Sequence, residues 1–371
     1  MPYPNYHFAG EEAIPSPQLV YYKPLLEENL RRTIALAGGP QRLWPHVKTH
    51  KMARVVQMQV AAGITRFKTA TIAEAEMCAE NGATDVVLAY PLVGPNIARF
   101  LALCDTYPAV RFYAIADDTG QMQLLSQAAV ADGQTVRVLM DMDLGQHRTG
   151  VPLDQAAEKY AQWAALPGIR MQGMHCYDGH RHESDLAVRD KAVREVDAVL
   201  DQIRARLTGQ GLDCSVCIMG GTPSFPCHAA ATRNYLSPGT CLVQDAGYEA
   251  AYPDLHFIPA AAVLTRVVSR PSPDTFTTDL GTKAVASDPE PIRAVLAEMP
   301  WAKPILQNEE HWVLQVPPEH IPDIPAIGTV LYAIPWHVCP TSALYPSVPV
   351  VENGQVVEWW DVTARNRRLH L

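Results

Sequence analysis

The sequence lacks several features that mark whole classes of protein. No apolar run approaches the length of about 20 residues that a membrane span needs. Residues 1–17 have neither a basic n-region nor an apolar h-region, so we expect no signal peptide. An excess of positive charge is also missing, because the formal net charge is −9. We therefore expect neither a nucleic-acid partner nor a membrane partner.

Cysteine gives no sign of a secreted scaffold. The eight cysteines are scattered through 371 residues without the spacing of a disulfide framework, so we expect a cytoplasmic protein. Residues 214–217 (CSVC) resemble half of a zinc ribbon, but no second pair accompanies them, and we interpret them as structural. What the sequence does have is 48% hydrophobic residues, enough for a large core, and a length that suits two domains.

Strand and helix patterns alternate through the first two thirds of the chain. The strand candidates are 43–48, 66–69, 85–89, 110–116, 135–142, 169–176, 213–219 and 234–237, and helical patterns separate nearly all of them. Strict alternation predicts an α/β fold with a parallel sheet. Eight such units predict a closed (β/α)8 TIM barrel, whose chemistry lies on the loops after the strands.

The secondary-structure pattern of the sequence changes near residue 255. Short β-rich runs punctuated by proline replace the helical periodicity, which persists only at 292–298. We therefore predict a barrel at 23–255, followed by a mostly antiparallel β domain. That domain is formed by 256–371 together with 1–22, because 18–22 reads as a strand.

Residues 44–51 (WPHVKTHK) hold two lysines, two histidines and one proline. Lys48 falls where the first predicted strand ends and its loop begins. A partly buried lysine with cationic neighbours is nucleophilic enough to form a Schiff base. The same octapeptide also suits a solvated basic loop or a phosphate contact. Within an acidic protein, this local basic charge favours a pocket for an anionic small molecule.

Polar side chains follow most of the other predicted strands. Residues 220–222 (GGT) come after the seventh strand, where barrels often bind phosphate with backbone N–H groups. Tyr235 and residues 237–239 (SPG) could complete the phosphate cup. Glycine pairs also make ordinary turns, so this motif is weak alone. Arg148, in 145–150 (GQHRTG), suits either an inward contact to an anion or phenolate, or a surface salt bridge.

His337 and Cys339 form a third constellation. In an extended segment, residues two apart project to one face, so these side chains could bind one metal ion. Imidazole and thiolate favour zinc over magnesium, and two protein ligands leave positions open for substrate and water. The alternative is a buried histidine beside an inert cysteine.

Four motifs together give the chain a resemblance to a known family. They are 45–51 (PHVKTHK), 145–150 (GQHRTG), 220–222 (GGT) and 335–341 (PWHVCPT). Their order and sequence resemble the D-threonine aldolase and D-serine dehydratase family, whose barrel is related to the alanine racemase N-terminal domain. The resemblance covers nearly the whole chain and implies a fold-type III pyridoxal phosphate enzyme.

The resemblance also implies roles for the residues of these motifs. Lys48 would bind the cofactor covalently, Arg148 would bind its phenolic oxygen, and Tyr177 would lie near its pyridine ring. The residues expected to hold the phosphate are Gly221, Thr222 and Tyr235. His337 and Cys339 would bind a catalytic divalent metal, with zinc as the first choice and manganese as the alternative.

The implied reaction acts on β-hydroxy-D-amino acids. Retro-aldol cleavage would give glycine and an aldehyde, whereas dehydration would give a keto acid and ammonia. Family aldolases can carry a carboxylate where Cys339 stands, and dehydratases resemble this chain in using a thiolate, so we favour the dehydratase. Racemization is a third possible outcome, but it needs no metal pair, so His337 and Cys339 argue against it. A related non-catalytic pyridoxal-phosphate-binding protein lacks the extra β domain, so residues 256–371 argue against that alternative. Related enzymes close their sites with a second subunit, so we expect a homodimer.

Overall fold

A computed structural model of the protein describes residues 3–231, 233–288, 293–367 and 369. The chain forms two compact units. The barrel unit comprises 33–48, 52–239 and 366–371, and the β unit comprises 1–32, 49–51 and 240–365. The sequence placed the boundaries at 22 and 255, whereas the contacts place them at 32 and 239.

The elements follow the predicted order along the chain. The strands are β1 Gln18–Tyr22, β2 Arg66–Thr69, β3 Asp85–Leu88, β4 Arg111–Ala116, β5 Val136–Asp143, β6 Val151–Pro152, β7 Ile169–Cys176, β8 Val216–Met219, β9 Tyr235–Leu236, β10 Ala261–Ser272, β11 Thr275–Thr278, β12 Ala294–Leu296, β13 Lys303–Gln307, β14 Trp312–Gln315, β15 Val330–Pro335, β16 Ser347–Glu352 and β17 Gln355–Asp361. The α-helices are α1 Lys23–Ala37, α2 Ala53–Ala61, α3 Ile72–Glu80, α4 Asn96–Thr106, α5 Thr119–Ala131, α6 Ala156–Ala164, α7 Leu186–Gly209, α8 Phe225–His228, α9 Ala246–Ala251 and α10 Val338–Ser342.

The barrel unit confirms the predicted (β/α)8 architecture. Its parallel strands run in the order β2-β3-β4-β5-β7-β8-β9, with β6 paired to β5. Polar side chains start several of the intervening helices. Thr71 accepts a hydrogen bond from the Glu74 N–H at the start of α3, and Asp118 does the same for α5. Capping of this kind satisfies N–H groups that the first helical turn leaves unpaired.

A short extended segment at 43–46 closes the barrel. Leu43 forms an isolated parallel bridge with Leu236, and His46 forms another with Lys68. The predicted regular strand over 43–48 is therefore wrong in detail, because Val47–Thr49 is a 3-10 turn. Pro45 has no N–H to donate and cannot continue a strand ladder. Lys48 consequently lies on a tight turn directly after the closing segment.

The β unit is built on a nine-stranded sheet. Seven strands follow the order β13-β14-β11-β10-β1-β16-β17, and β15 pairs with both β10 and β12. Strand β1 pairs antiparallel with β10 and parallel with β16, so the N-terminal strand joins this sheet as predicted. The helix expected at 292–298 is wrong over the described residues 293–298, because β12 lies there and pairs with β15, and residue 292 lies outside the described residues. Such a short apolar run does not distinguish a strand from a helical turn.

The helices of the described residues include none that is long and apolar enough to cross a membrane.

Candidate active site

Charged side chains meet at the C-terminal ends of the barrel strands. Lys48 follows the closing segment, Lys68 lies on β2, and Asp141 and His175 lie near the ends of β5 and β7. Asp178 follows β7. The Lys68 ammonium is close enough to Lys48, Asp141 and Asp178 for their charges to shift its pKa. We call this group of five residues the barrel cup.

Lys68 is the centre of the cup and is fully buried. Its Nζ donates a hydrogen bond to the Ser237 Oγ at 3.2 Å and lies 4.8 Å from the centroid of the Tyr177 ring. Burial, followed by the nearby Lys48 cation, lowers the pKa of Lys68 to about 7. An amine with this pKa can hold or release a proton at neutral pH.

A buried carboxylate orients His175. The His175 Nδ1 lies 2.7 Å from the Asp141 Oδ1, and the Thr149 hydroxyl donates to the Asp141 Oδ2 at 2.8 Å. Burial and then the Lys68 cation lower the pKa of His175, so the imidazole is neutral. A neutral ring that faces a carboxylate carries its proton on Nδ1. Its Nε2 is therefore an acceptor, and it is buried without a hydrogen-bond partner among the described residues.

A second buried network supports the glycine-rich loop. Asp178 accepts hydrogen bonds from the Ser224 hydroxyl at 2.6 Å and from the His228 Nε2 at 3.0 Å. The other ring nitrogen of His228 lies 2.8 Å from Asp197. Burial opposes protonation, but the two carboxylates raise the pKa of His228 to about 9. The Ser224 Oγ in turn accepts from the Gly221 N–H at 3.1 Å, which fixes the loop.

The loop at 220–222 leaves little room for a side chain at its two glycines. Gly220 has a φ of 74°, and a Cβ there would lie 2.9 Å from the His228 ring. A Cβ on Gly221 would lie 3.1 Å from the Tyr177 ring. The hydroxyl of Thr222, the next residue, accepts a hydrogen bond from the Gly239 N–H at 3.2 Å. The loop therefore holds backbone close to Tyr177, as a cofactor cradle requires.

The structure places most of the predicted barrel residues near one another. Gly221 packs against Tyr177, and the Arg148 guanidinium lies 5.2 Å from the centroid of the same ring. The charges of Lys48 and Arg148 both act on Lys68. Thr222 follows Gly221 and is buried.

Tyr235 does not join this group. Its ring packs edge-on against Trp44, with centroids 6.0 Å apart, and the Arg66 guanidinium lies 5.3 Å from its centroid. Tyr235 begins β9, so it lies at the N-terminal end of the strand. Ser237, two residues further on, supplies the hydroxyl that reaches Lys68. The predicted phosphate contact of Tyr235 does not fit this position.

Sequence reasoning assigned no role to Lys68, Asp141, His175, Asp178 or His228. A signal for Lys68 was present in the sequence. Lys68 follows the apolar Phe67 on a strand predicted to line a barrel, and successive strand residues face opposite sides of the sheet, so one of the two must face the barrel interior. A lysine at such a position is almost never buried without a partner or a function.

Pyridoxal phosphate fits the residues of the barrel cup. Lys48 offers a half-buried amine for its aldehyde carbon. The phosphate and phenolate need cations and hydroxyls, which Lys68, Arg148 and Thr222 supply. The buried Nε2 of His175 is an unpaired acceptor that awaits a donor. A Cβ at Gly220 or Gly221 would crowd the His228 or the Tyr177 ring, so glycine suits both positions of the cradle.

His337 and Cys339 lie together in the β unit. His337 precedes α10 and Cys339 lies in its first turn, so the segment is not extended as the sequence suggested. The neighbouring Cys339 side chain nevertheless raises the pKa of His337 to about 9. The Thr49 Oγ1 lies 3.2 Å from the Cys339 Sγ, and the His337 Nδ1 lies 3.1 Å from the Asp288 Oδ2.

This pair fits a divalent metal with two protein ligands. Within residues 3–231, 233–288, 293–367 and 369, no group of three or more His, Cys, Asp or Glu side chains could hold a metal ion. Imidazole and thiolate side chains two residues apart suit zinc chemistry and leave coordination positions open. Asp245 accepts the Val338 N–H at 3.0 Å and so holds the segment between His337 and Cys339.

Comparison with known proteins agrees with the two-unit architecture. The model of the alanine racemase N-terminal domain matches residues 24–246, and that of a putative serine dehydratase domain matches 260–351. The fold and the site therefore define a fold-type III pyridoxal-phosphate-dependent enzyme.

Individual relatives place the chain more narrowly. D-threonine aldolase of Arthrobacter sp. is 30% identical over 358 residues, which cover 95% of this chain and 93% of the relative. The chain belongs to the family of D-threonine aldolases and D-serine dehydratases, which are pyridoxal-phosphate-dependent lyases. D-threo-3-hydroxyaspartate dehydratase of Delftia sp. is 30% identical over 190 residues, 49% of this chain and 48% of the relative. The crystal structure of D-threonine aldolase from Filomicrobium marinum has a TM-score of 0.88 and 29% identity, covering 98% of this chain and 99% of that one.

Proposed function

We propose that this protein is a pyridoxal-phosphate- and metal-dependent dehydratase of β-hydroxy-D-amino acids, of the D-serine or 3-hydroxy-D-amino-acid type. The observation that carries the proposal is the position of His337 and Cys339 two residues apart at the start of α10, where Cys339 influences the pKa of His337. A thiolate in this position favours zinc and distinguishes the dehydratases of the family from aldolases with a carboxylate there. The similarity to family members that act on D-amino acids supports the choice of substrate.

The residues of the chain divide the work of the reaction. When bound, pyridoxal phosphate supplies an electron sink for Cα of the substrate, and the metal supplies a Lewis acid for its β-hydroxyl. Lys48 would hold the cofactor, and Arg148, Gly221 and Thr222 would orient it. Neutral His175, fixed by Asp141, offers a hydrogen-bond acceptor inside the barrel cup.

Lys48 and Lys68 are the two amines of the cup that can move a proton. Lys48 would hold the cofactor, and as a free amine it could take the α-proton of the substrate. Lys68, with its pKa lowered by burial to about 7, can exchange a proton with it near neutral pH. Ser237 accepts a hydrogen bond from Lys68 and keeps the second amine in place.

Product analysis with D-threonine tests the proposal. We expect 2-oxobutanoate and ammonia from the zinc-loaded enzyme, and no turnover of L-threonine. Chelation, or His337→Ala, should abolish the lyase activity while the absorption band of the bound cofactor survives. Full activity in metal-free protein would contradict the proposal and leave His337 and Cys339 as structural residues.

The second candidate is D-threonine aldolase. The full-length similarity to the Arthrobacter enzyme favours it. Acetaldehyde and glycine in the same assay would identify it. Cys339→Asp is the matched variant, because a hard carboxylate should shift metal preference from zinc toward manganese.

We also propose a cytoplasmic homodimer. The family resemblance supports the dimer, since related enzymes complete their sites with a neighbouring subunit. Cysteines scattered without the spacing of a disulfide framework support the reducing compartment. A fully active monomer in light scattering would contradict the dimer.

A further inference from the structure

A polar cavity of about 420 Å³ lies at the N-terminal ends of the barrel strands. Because the strands are parallel, this is the end of the barrel opposite to the barrel cup. Arg66, Asp85 and Arg111 begin β2, β3 and β4, and Arg137 and Arg170 are the second residues of β5 and β7. We call it the basal cavity. Its volume is in the range of about 300–1,000 Å³ that is typical of small-molecule sites.

The charges in the basal cavity are not balanced. Its single carboxylate, Asp85, already accepts two hydrogen bonds from Arg111, at 2.6 and 2.7 Å. Arg66 donates to the Gln41 carbonyl oxygen at 2.7 Å. Half-buried Arg137 and exposed Arg170 have no hydrogen bond or ion pair with any residue that the structure describes. The cavity therefore has an excess of guanidinium groups without anionic partners, although the protein as a whole is acidic.

Two buried polar atoms of the same cavity also lack partners. The Trp44 side chain is 1% exposed, and neither its Nε1 nor the Gln172 Oε1 has a hydrogen-bond partner among the described residues. The indole N–H can only donate. The Gln172 Nε2 donates to Asp213 at 3.3 Å, so its amide oxygen is the atom left over. Burial of either atom without a hydrogen bond is unfavourable.

Structural stability does not account for these groups. Arginines at the lower face of a barrel usually serve stability, and the pair of Arg111 and Asp85 does so here. Arg137, Arg170, the Trp44 Nε1 and the Gln172 Oε1 make no such contacts with the described residues. Their unmet requirements are complementary to one ligand, because three of them need an acceptor and the fourth needs a donor.

We propose that the basal cavity binds a small oxyanion that also carries a hydroxyl group. Arg137 and Arg170 bind the anionic oxygens, the Trp44 N–H donates a further hydrogen bond, and the ligand hydroxyl donates to the Gln172 Oε1. Monoanionic phosphate and a hydroxydicarboxylate such as malate both have this chemistry. The site is separate from the cofactor phosphate site, because its residues come from the opposite ends of the strands.

Calorimetric titration of the pyridoxal-phosphate-loaded enzyme tests the proposal, since the cofactor then fills its own phosphate site. Inorganic phosphate and malate are titrated separately at constant ionic strength, and the tighter ligand identifies the source of the anion. We expect saturable binding of at least one. Arg137→Gln and Arg170→Gln should each weaken it about tenfold, as for a lost charged hydrogen bond.

Two further variants sharpen the test. Trp44→Phe removes the N–H donor but keeps an aromatic ring against Tyr113 and Tyr235, so it should weaken binding without unfolding the barrel. Arg194→Gln alters an arginine on α7 that pairs with Asp190, and it should leave the affinity unchanged. The proposal is wrong if neither anion binds saturably. It is equally wrong if binding persists at wild-type affinity in the folded Arg137, Arg170 and Trp44 variants.

Discussion

Replacing Lys68 with methionine should stabilise the cofactor-free protein, with an effect that depends on pH. Methionine has a similar length and no charge to bury. The Ser237 hydroxyl, which accepts from Lys68, keeps its donor bond to the Gly220 carbonyl oxygen at 2.8 Å. The substitution therefore removes a buried ammonium and leaves no buried donor unpaired.

The magnitude follows from the pKa of Lys68, which burial and the Lys48 cation lower from 10.5 to about 7. At about 1.4 kcal/mol for each pKa unit, the charged amine destabilises the native state by about 5 kcal/mol. Between pH 7 and 10.5 the unfolded chain binds more protons than the native one, so stability of the wild type rises with pH. The penalty is complete below pH 7 and disappears above pH 10.5.

Urea unfolding across this pH range measures the difference between the wild type and Lys68→Met. We expect the variant to be more stable by up to about 5 kcal/mol near pH 6, with the gap closing as the pH approaches 10.5. Lys191→Met is the control, because Lys191 is exposed on α7. A gap that does not change with pH, or a variant less stable than the wild type near pH 6, would refute the assignment of Lys68 as a buried amine with a lowered pKa.

Three further changes test other parts of the barrel. Borohydride should fix the cofactor on Lys48, and Lys48→Ala should lose the label in peptide mapping; a label that survives contradicts the assignment. Asp178→Asn should destabilise the protein by about 3 kcal/mol in urea unfolding below pH 6.5, because it breaks the buried pair with His228. Since that histidine has its pKa raised to about 9, the difference should shrink as the pH rises through 9, and a constant difference argues against the pair. Gly173→Ala should prevent folding, since its Cβ would overlap the neighbouring strand, whereas Gly209→Ala, with nothing within 4 Å, should be tolerated in thermal unfolding.

The sequence predicted the barrel because its signal is repeated. Each strand is short, but eight alternations with helices specify one architecture. In that architecture the catalytic loops all follow the C-terminal ends of the strands. The position of Lys48 at the end of a barrel strand could be predicted for this reason, although the local backbone structure around it could not. Its strand ends early at Pro45, and an isolated proline does not reveal whether a segment is a regular strand or two bridges.

Residues that depend on long-range partners could not be found in the same way. His175 and Asp141 lie on different strands, and their hydrogen bond is visible only after the sheet order is known. Tyr235 was misplaced because a prediction of strand ends errs by a few residues. Strand β9 is so short that Tyr235 lies at the lower end of the barrel, whereas Ser237, two residues later, reaches the barrel cup. The relation of His337 to Cys339 survived the wrong secondary structure, since both geometries bring the side chains together.

The closing segment at 43–46 has a consequence for how the barrel assembles and opens. Its bridge to Leu236 joins positions about 190 residues apart, the largest separation among the strand pairings of the barrel, so this contact should form late in the folding of the barrel. Among the described residues the seam is held by few backbone hydrogen bonds, such as that from the Trp44 N–H to the Leu236 carbonyl oxygen at 2.8 Å. The Trp44 amide should therefore exchange with solvent faster than the central amides of β5. A ligand that bonds Lys48, one turn beyond the seam, would therefore stabilise the closed barrel against opening at this seam.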